Sequence, residues 1–197
     1  MTSENPETQP DTNSPATQFR YCPRCGKEGP DISSNRSLRC RHCDFLLFFN
    51  SATAAGAFIF HRDQLILCVR SKEPGKGLLD VAGGFLEFDE SAEEGLRREI
   101  LEELNLEATG FHYLASAPND YLYAGVLYKT TDLFFTCEVP DISRIRPADD
   151  VADFLVVAAE ALDPARLAFP STRNAFRALL EKRWESGRGK EASRGIV

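Results

Sequence analysis

Three carboxylates, Glu99, Glu102 and Glu103, crowd into the run Arg98-Glu99-Ile100-Leu101-Glu102-Glu103-Leu104. At about 100° per residue they share one sector of a helix, where like charges repel unless something compensates them. A solvated charged face is the ordinary reading of such a run. The chemical reading is a grip on a hard divalent cation, Mg²⁺ or Mn²⁺, which takes oxygen ligands and bridges to phosphate oxygens. A glycine turn, Gly83-Gly84, and an acidic loop ending at Glu90 precede this segment.

A second constellation lies upstream. Cys22-Pro23-Arg24-Cys25 and Cys40-Arg41-His42-Cys43 are two CxxC pairs separated by fourteen residues. Each CxxC turn aims two thiolates at one point, and two such turns enclose Zn²⁺ in a tetrahedron; a redox dithiol is the alternative. Gly26 and Asp44, directly after the pairs, suit tight knuckles. Four thiolates fill the zinc shell, so the ion would be structural and His42 would be left exposed. A module of this size builds no core of its own, and metal binding worth on the order of 10 kcal/mol must supply its folding energy. Arg24, Arg36, Arg39 and Arg41 give it a basic side, which keeps nucleic-acid or protein contact open. The remaining cysteines, Cys68 and Cys137, sit inside apolar segments and read as small buried strand residues.

The elements that must position these groups follow from the pattern. Short apolar runs at Ala54–Phe60, Leu65–Val69 and Leu78–Ala82 have strand length. Ser91 followed by Glu94 is a capping box, and good helix formers continue to Leu104. Asn105 stands where a left-handed cap belongs, and Leu96, Ile100 and Leu104 share the face that anchors the helix. Further strands are expected at Phe111–Ala115, around Tyr121–Leu127, at Leu133–Val139 and at Phe154–Val157. A last helix is expected from a cap at Ser171 to about Trp184, with a frayed end beyond. Strands on either side of one strong helix indicate an α+β fold with a mixed sheet.

The whole chain has 197 residues, 43% of them hydrophobic and 27% charged, as in a soluble globular protein. Its formal net charge of -7 argues against a general nucleic-acid or anionic-membrane binder. A phosphate-bearing small molecule remains compatible, because a metal ion supplies positive charge locally. The chain lacks a basic segment leading into an apolar one at its start, and a run long enough to span a bilayer, so a cytoplasmic setting is expected.

The segment Gly84 to Leu106 resembles the signature of the Nudix hydrolases, G-x5-E-x7-R-E-U-x-E-E-x-G-U. Gly84, Glu90, Arg98, Glu99, Ile100, Glu102, Glu103 and Leu106 match in register. Asn105 replaces the last glycine, a tolerable exchange at a left-handed cap. The resemblance implies a mixed β-sheet sandwiched between helices over residues 51–182, after a disordered tail (1–20) and a zinc ribbon (21–50), with a C-terminal tail at 183–197. It implies metal ligands at Glu99, Glu103 and the Gly83 carbonyl. Glu102 would be a further ligand or act on the attacking water, and Arg98 would pair with Glu90 or a neighbouring carboxylate. The implied reaction is hydrolysis of the diphosphate of a nucleoside-diphosphate-linked compound. A carboxylate on a later loop serves some relatives as general base; Asp149, Asp150 and Asp153 all qualify. Family members are frequently homodimers.

A zinc ribbon before such a domain is similar to the arrangement in NADH pyrophosphatases, so NAD(H), ADP-ribose or a related dinucleotide is favoured. Their downstream specificity array is kept only as a serine and a proline within Ser116–Tyr123. Tyr121 and Tyr123 could stack on a base, or simply pack the sheet. Arg70 and the loop it opens as far as Gly77, with Lys72, Lys76 and two glycines, could approach phosphate, or form an ordinary hairpin connection. Two other classes stay open: a non-catalytic ligand sensor, and a hydrolase of RNA 5′ ends that grips the strand through the ribbon.

Overall fold

The computed structural model describes residues 15–33 and 37–192. The first fourteen residues and Arg36 therefore lie outside the described residues. Pro15–Gln18 form a short 3-10 helix, and the Phe19 ring sits 5.6 Å from that of Phe49.

The chain divides into two compact units. The first holds residues up to Ala52 together with Asp120–Lys129. Its sheet comprises β1 (Asp31–Ser33), β2 (Ser37–Arg39) and β3 (Leu46–Phe48), antiparallel in the order β1-β2-β3. Leu38 pairs with Ile32 on one side and Leu47 on the other, and is wholly buried. With so small an apolar centre, the module depends on what its cysteines hold.

The second unit carries most of a seven-stranded mixed sheet, of which the hairpin tip Asp120–Lys129 is counted with the first. Its strands are β4 (Ala52–His61), β5 (Gln64–Arg70), β6 (Leu79–Asp80), β7 (Ala82–Phe85), β8 (Thr109–Tyr123), β9 (Val126–Glu138) and β10 (Val151–Ala158). The main path is β10-β5-β4-β9-β8, with β6 on β5 and β7 on β4. Because side chains alternate along a strand, the apolar runs of β4, β5 and β9 feed two separate cores. Ala57, Ile59, Ile66, Cys68, Phe135 and Cys137 pack with Leu96, Ile100 and Leu104 of α1 (Ala92–Leu104). Their neighbours Phe58, Phe60, Leu65, Leu67 and Phe134 pack with Ala175, Phe176 and Leu179 of α2 (Pro170–Ala192). This is the α+β sandwich that the pattern implies.

The helix α1 starts and stops as its sequence requires. Ser91 accepts from the Glu94 backbone while the Glu94 carboxylate accepts from the Ser91 N–H, a complete capping box. Asn105 closes the helix at φ 55°, and its side-chain amide donates to the Arg144 carbonyl at 3.0 Å.

Three expectations need correction. No separate strand covers Tyr121–Leu127: β8 and β9 form one long hairpin turned at Ala124-Gly125, both at positive φ (49° and 80°). Such a turn usually advertises itself with Asn or Asp before the glycine, and alanine hides it. Ser171 does not cap α2, which begins one residue earlier with Pro170, a residue preformed for the first helical position. The helix also continues to Ala192, past the expected fraying point at Trp184; the two glycines cost about 1 kcal/mol each without forbidding helix. Among the described residues, no helix is long and apolar enough to cross a membrane.

Candidate functional site

The strand β7 presents two glycines to α1. Gly83 (φ 146°) lies so close to β4 that a Cβ would come within 2.1 Å of the Ala55 carbonyl oxygen. At Gly84 a Cβ would sit 2.4 Å from a carboxylate oxygen of Glu99. The first absence of a side chain lets β7 lie close against β4, and the second lets Glu99 approach the strand backbone. The N–H of Gly83 donates to Glu103 Oε2 at 3.1 Å, and Glu103 is only 7% exposed.

Arg98 binds the acidic groups together. Its Nε and Nη2 donate to the two oxygens of Glu90 at 3.2 and 2.7 Å, a bidentate pair. Nη1 donates to Glu99 at 2.9 Å and to Glu102 at 3.4 Å, and Nη2 also reaches the Phe85 carbonyl at 3.3 Å. The N–H of Glu87 donates to Glu90 as well, at 2.7 Å, so the loop from β7 is laced to the helix. The structure thus brings Gly83, Glu90, Arg98, Glu99, Glu102 and Glu103 into one constellation. Glu102 is its most exposed carboxylate, at 52%.

The electrostatics follow from this geometry. Arg98 holds Glu90 below the usual carboxylate range, helped by the Glu87 N–H. Glu90 in turn, with Glu99, holds the guanidinium firmly charged. Burial raises Glu99 despite Arg98, and the charges of Glu102 and Asp149 add to that. Burial pushes Glu103 up to about 8, with Glu99, Asp80 and Asp150 opposing the Gly83 N–H. One guanidinium therefore does not neutralise the group, and oxygen donors gathered at such cost suit a hard cation.

The loop after β9 brings further acids to this place. The N–H groups of Arg146 and Ala148 donate to the carbonyls of Leu104 and Glu103 at 3.0 and 2.9 Å, satisfying the end of α1. Asp149 and Asp150 follow directly, and Asp149 takes a left-handed backbone (φ 52°). The Lys72 ammonium pairs with Asp150 and lies 3.7 Å from Asp149. Asp153 is elsewhere on β10, exposed, accepting from the Phe154 N–H. In the sequence Lys72 is one of two lysines in a loop that could approach phosphate, and nothing local marks its acidic partners.

Arg70 lies among other partners. Its Nη1 donates to Asp80 at 3.2 Å, its Nε to the Pro74 carbonyl at 2.8 Å, and its guanidinium carbon lies 4.8 Å from the centre of the Phe169 ring. Asp80 also accepts from Thr172 of α2, and burial pushes its carboxyl up to about 6 despite Arg70. Tyr121 and Tyr123 stand on one face of the β8 end, rings stacked 6.2 Å apart, in the unit that contains the cysteines.

In that first unit the four cysteines are free thiols converging on one point, with all four sulfurs within 4.8 Å of one another. Among the described residues no other group of three or more His, Cys, Asp or Glu donors converges so tightly. The Cys22–Cys43 and Cys25–Cys40 sulfurs are 3.9 and 3.6 Å apart. A tetrahedral zinc with Zn–S near 2.3 Å needs sulfurs about 3.8 Å apart. The two knuckles repeat each other. The N–H of Arg24 donates to Cys22 Sγ and that of His42 to Cys40 Sγ; Gly26 N–H reaches the Cys22 carbonyl and Asp44 N–H the Cys40 carbonyl. Gly26 and Asp44 both adopt positive φ (69° and 54°). Against the burial that would raise it, backbone N–H groups of Cys25 and Arg24 bring Cys22 down to about 7. Despite the Phe45 N–H, burial and the neighbouring thiols push Cys43 up to about 12. His42 is exposed, and of the ribbon's arginines Arg39 pairs with Asp44 and Arg41 with Asp31.

The NUDIX domain family matches residues 50–179. The chain is 26% identical over 166 residues to the NAD-capped RNA hydrolase NudC of Pseudomonas fluorescens, covering 84% of this chain and 56% of that protein. It is 31% identical over 101 residues to the NudC of Pseudomonas putida, covering 51% of this chain and 36% of that one. It thus spans about half, or less, of the length of these curated relatives. A NUDIX hydrolase from Nitrosomonas europaea superposes with a TM-score of 0.68 at 20% identity, covering 85% of this chain and 93% of that one. The NUDIX domain of Shewanella oneidensis NrtR, complexed with ADP ribose, does so with a TM-score of 0.57 at 20% identity, covering 68% and 90%. These likenesses establish the fold.

Proposed function

Because this chain belongs to the NUDIX domain family, we propose that it hydrolyses the diphosphate of a nucleoside-diphosphate-linked compound. The observation that carries this reading is the placement of Glu99 and Glu103 against the Gly83-Gly84 backbone, with Arg98 spanning Glu90, Glu99 and Glu102. In this reading Glu99, Glu102, Glu103 and the Gly83 carbonyl hold Mg²⁺ or Mn²⁺. The bound cation supplies positive charge to the diphosphate oxygens and lowers the pKa of water.

The chain's own residues set up the rest. Arg98 fixes Glu99 and Glu102 in orientation through its pair with Glu90. The Gly83 N–H holds one oxygen of Glu103 in place. Asp149 and Asp150, carried to the same end of α1, are the candidates for taking a proton from the attacking water. Water adds to one phosphorus, the bridging P–O bond breaks, and a nucleoside monophosphate and a second phosphorylated product leave.

NAD(H), free or at the 5′ end of an RNA, is the favoured substrate class. The support is the named activity of the NudC relatives together with the cysteine cluster that precedes the catalytic domain in this chain. The four thiols hold zinc in this reading, and unoxidised cysteines suit a cytoplasmic setting. Among the described residues, Arg39 and Arg41 of the ribbon are paired with acids, which favours a dinucleotide over a grip on an RNA strand. The test is a panel of NADH, NAD, ADP-ribose, nucleotide sugars and NAD-capped RNA with Mg²⁺ or Mn²⁺. Cleavage of NADH to two mononucleotides supports the reading. Failure of every compound at millimolar metal overturns it.

A further inference from the structure

Lys72 has no part in the family signature, yet it stands at the carboxylate cluster. The β5 strand ends at Arg70, and Ser71 donates its N–H to the Asp150 carbonyl at 2.8 Å and its hydroxyl to the Asp149 carbonyl at 3.4 Å. The backbone beneath Lys72 is therefore fastened to the acidic loop. That loop is itself fastened to α1, through the Ala148 N–H on the Glu103 carbonyl at 2.9 Å. Beyond Lys72 the chain is also held: Glu73 accepts from the Gly75 N–H at 2.8 Å, and Gly77 N–H donates to the Arg70 carbonyl at 2.9 Å.

The side chain differs from its backbone. It is 62% exposed and reaches Asp149 and Asp150 by a flexible four-carbon stem. An exposed pair of this kind is weak, so it holds the ammonium at the cluster without committing it. Arg98, the other cation here, has its donors taken by Glu90, Glu99, Glu102 and the Phe85 carbonyl. A diphosphate entering this cluster meets many carboxylates. It needs a protein cation that can move to it as well as a metal.

We propose that Lys72 is a phosphate-binding residue, parked on Asp149 and Asp150 and transferred to an oxygen of the substrate's diphosphate when the nucleotide binds. This inference rests on the functional reading above and adds a subsite to it. It also assigns Asp149 and Asp150 a role in positioning that cation.

The test is titration calorimetry of ADP-ribose into the full zinc-loaded chain with Ca²⁺, comparing wild type, Lys72→Gln and Lys72→Arg, beside their melting temperatures. Lys72→Gln should weaken ADP-ribose about tenfold or more, a factor of the size expected for one charge-assisted contact. Lys72→Arg should recover most of the affinity. Affinity within twofold of wild type in Lys72→Gln, with only its melting temperature lowered, would make Lys72 a loop staple and overturn the proposal. An Arg variant as weak as the Gln variant would also overturn it. Wild type that binds ADP-ribose but cleaves nothing in the panel would count against the hydrolase reading while leaving the Lys72 subsite supported. Wild type that does not bind ADP-ribose at all would overturn the Lys72 subsite and leave the hydrolase reading to the substrate panel.

Discussion

The backbone N–H of Gly83 donates to Glu103 Oε2 at 3.1 Å, joining the glycine turn to the last turn of α1. Glu103 is thereby held in a buried place that its own charge disfavours. In the absence of a cation, that charge is a burden on the fold. Glu103→Gln should therefore lower metal-dependent hydrolysis about a hundredfold or more, yet leave the melting temperature in chelator unchanged or raised. Equal destabilisation with and without Mg²⁺ would show that the carboxylate serves structure instead.

The same group sets a pH dependence. With its pKa pushed up to about 8, Glu103 is protonated over the range where an ordinary glutamate is ionised. A raised acid stabilises the metal-free fold below its unfolded pKa, and loses that contribution as pH rises through about 8. Metal binding has the opposite sign, since the proton must leave first. Mg²⁺ affinity should climb with pH up to about 8, approaching tenfold per unit if one proton is displaced. Calorimetry at several pH values checks this, and a flat profile in wild type would contradict it.

Gly84 isolates positioning from charge. A methyl group there would sit 2.4 Å from a Glu99 carboxylate oxygen, with no positive-φ penalty to confuse the result. Gly84→Ala should displace Glu99 and weaken Mg²⁺ about tenfold or more, the scale of disturbed ligand orientation, with little change in melting temperature in chelator. Unaltered metal affinity would mean that Glu99 has room to give way.

Arg70 and Asp80 form a half-hidden ion pair between the β5–β6 turn and α2, with side-chain exposures of 15% and 12%. Arg70→Gln strands a buried carboxylate and should cost about 3 kcal/mol at neutral pH. Asp80 titrates at about 6 even with Arg70 present, so the raised acid favours folding at low pH and penalises it above. The variant's deficit should shrink as pH falls from 7 to 5. Denaturant melts at both pH values decide, and a constant deficit would rule out this cause.

The cysteine cluster makes a separable claim. Cys40→Ser should release zinc and unfold the three-stranded unit, while the two cores around α1 and α2 keep their cooperative transition. Circular dichroism with a zinc-release dye follows both events; loss of every transition together would show that the two units fold as one.

Much of this was legible because local rules and tertiary structure agree. Ser91, Glu94 and Asn105 mark the ends of α1, and the acids on it announce a cation-binding face. The two CxxC turns read directly as one cluster. Other features have no local signal. Ala124 takes a left-handed conformation that its side chain does not advertise. The Lys72–Asp150 pair joins distant residues that only the closed sheet brings together. The Arg70–Asp80 pair is equally silent, because Asp80 is buried at the end of an apolar run. Phe19, among polar neighbours, sets its ring 5.6 Å from that of Phe49, which lies thirty residues away.

The two-sided packing of β4, β5 and β9 has a practical corollary. Neighbouring positions such as Phe58 and Ile59 answer to different helices, so the layer against α2 can be rebuilt by protein engineering while the layer behind the acidic helix stays as it is. A single inserted or deleted residue in one of these strands enjoys no such independence. It would send every following side chain to the wrong layer at once, exchanging phenylalanines for alanines on both sides. Natural drift in this domain should thus proceed by substitution within the strands, with length changes confined to the connections between them.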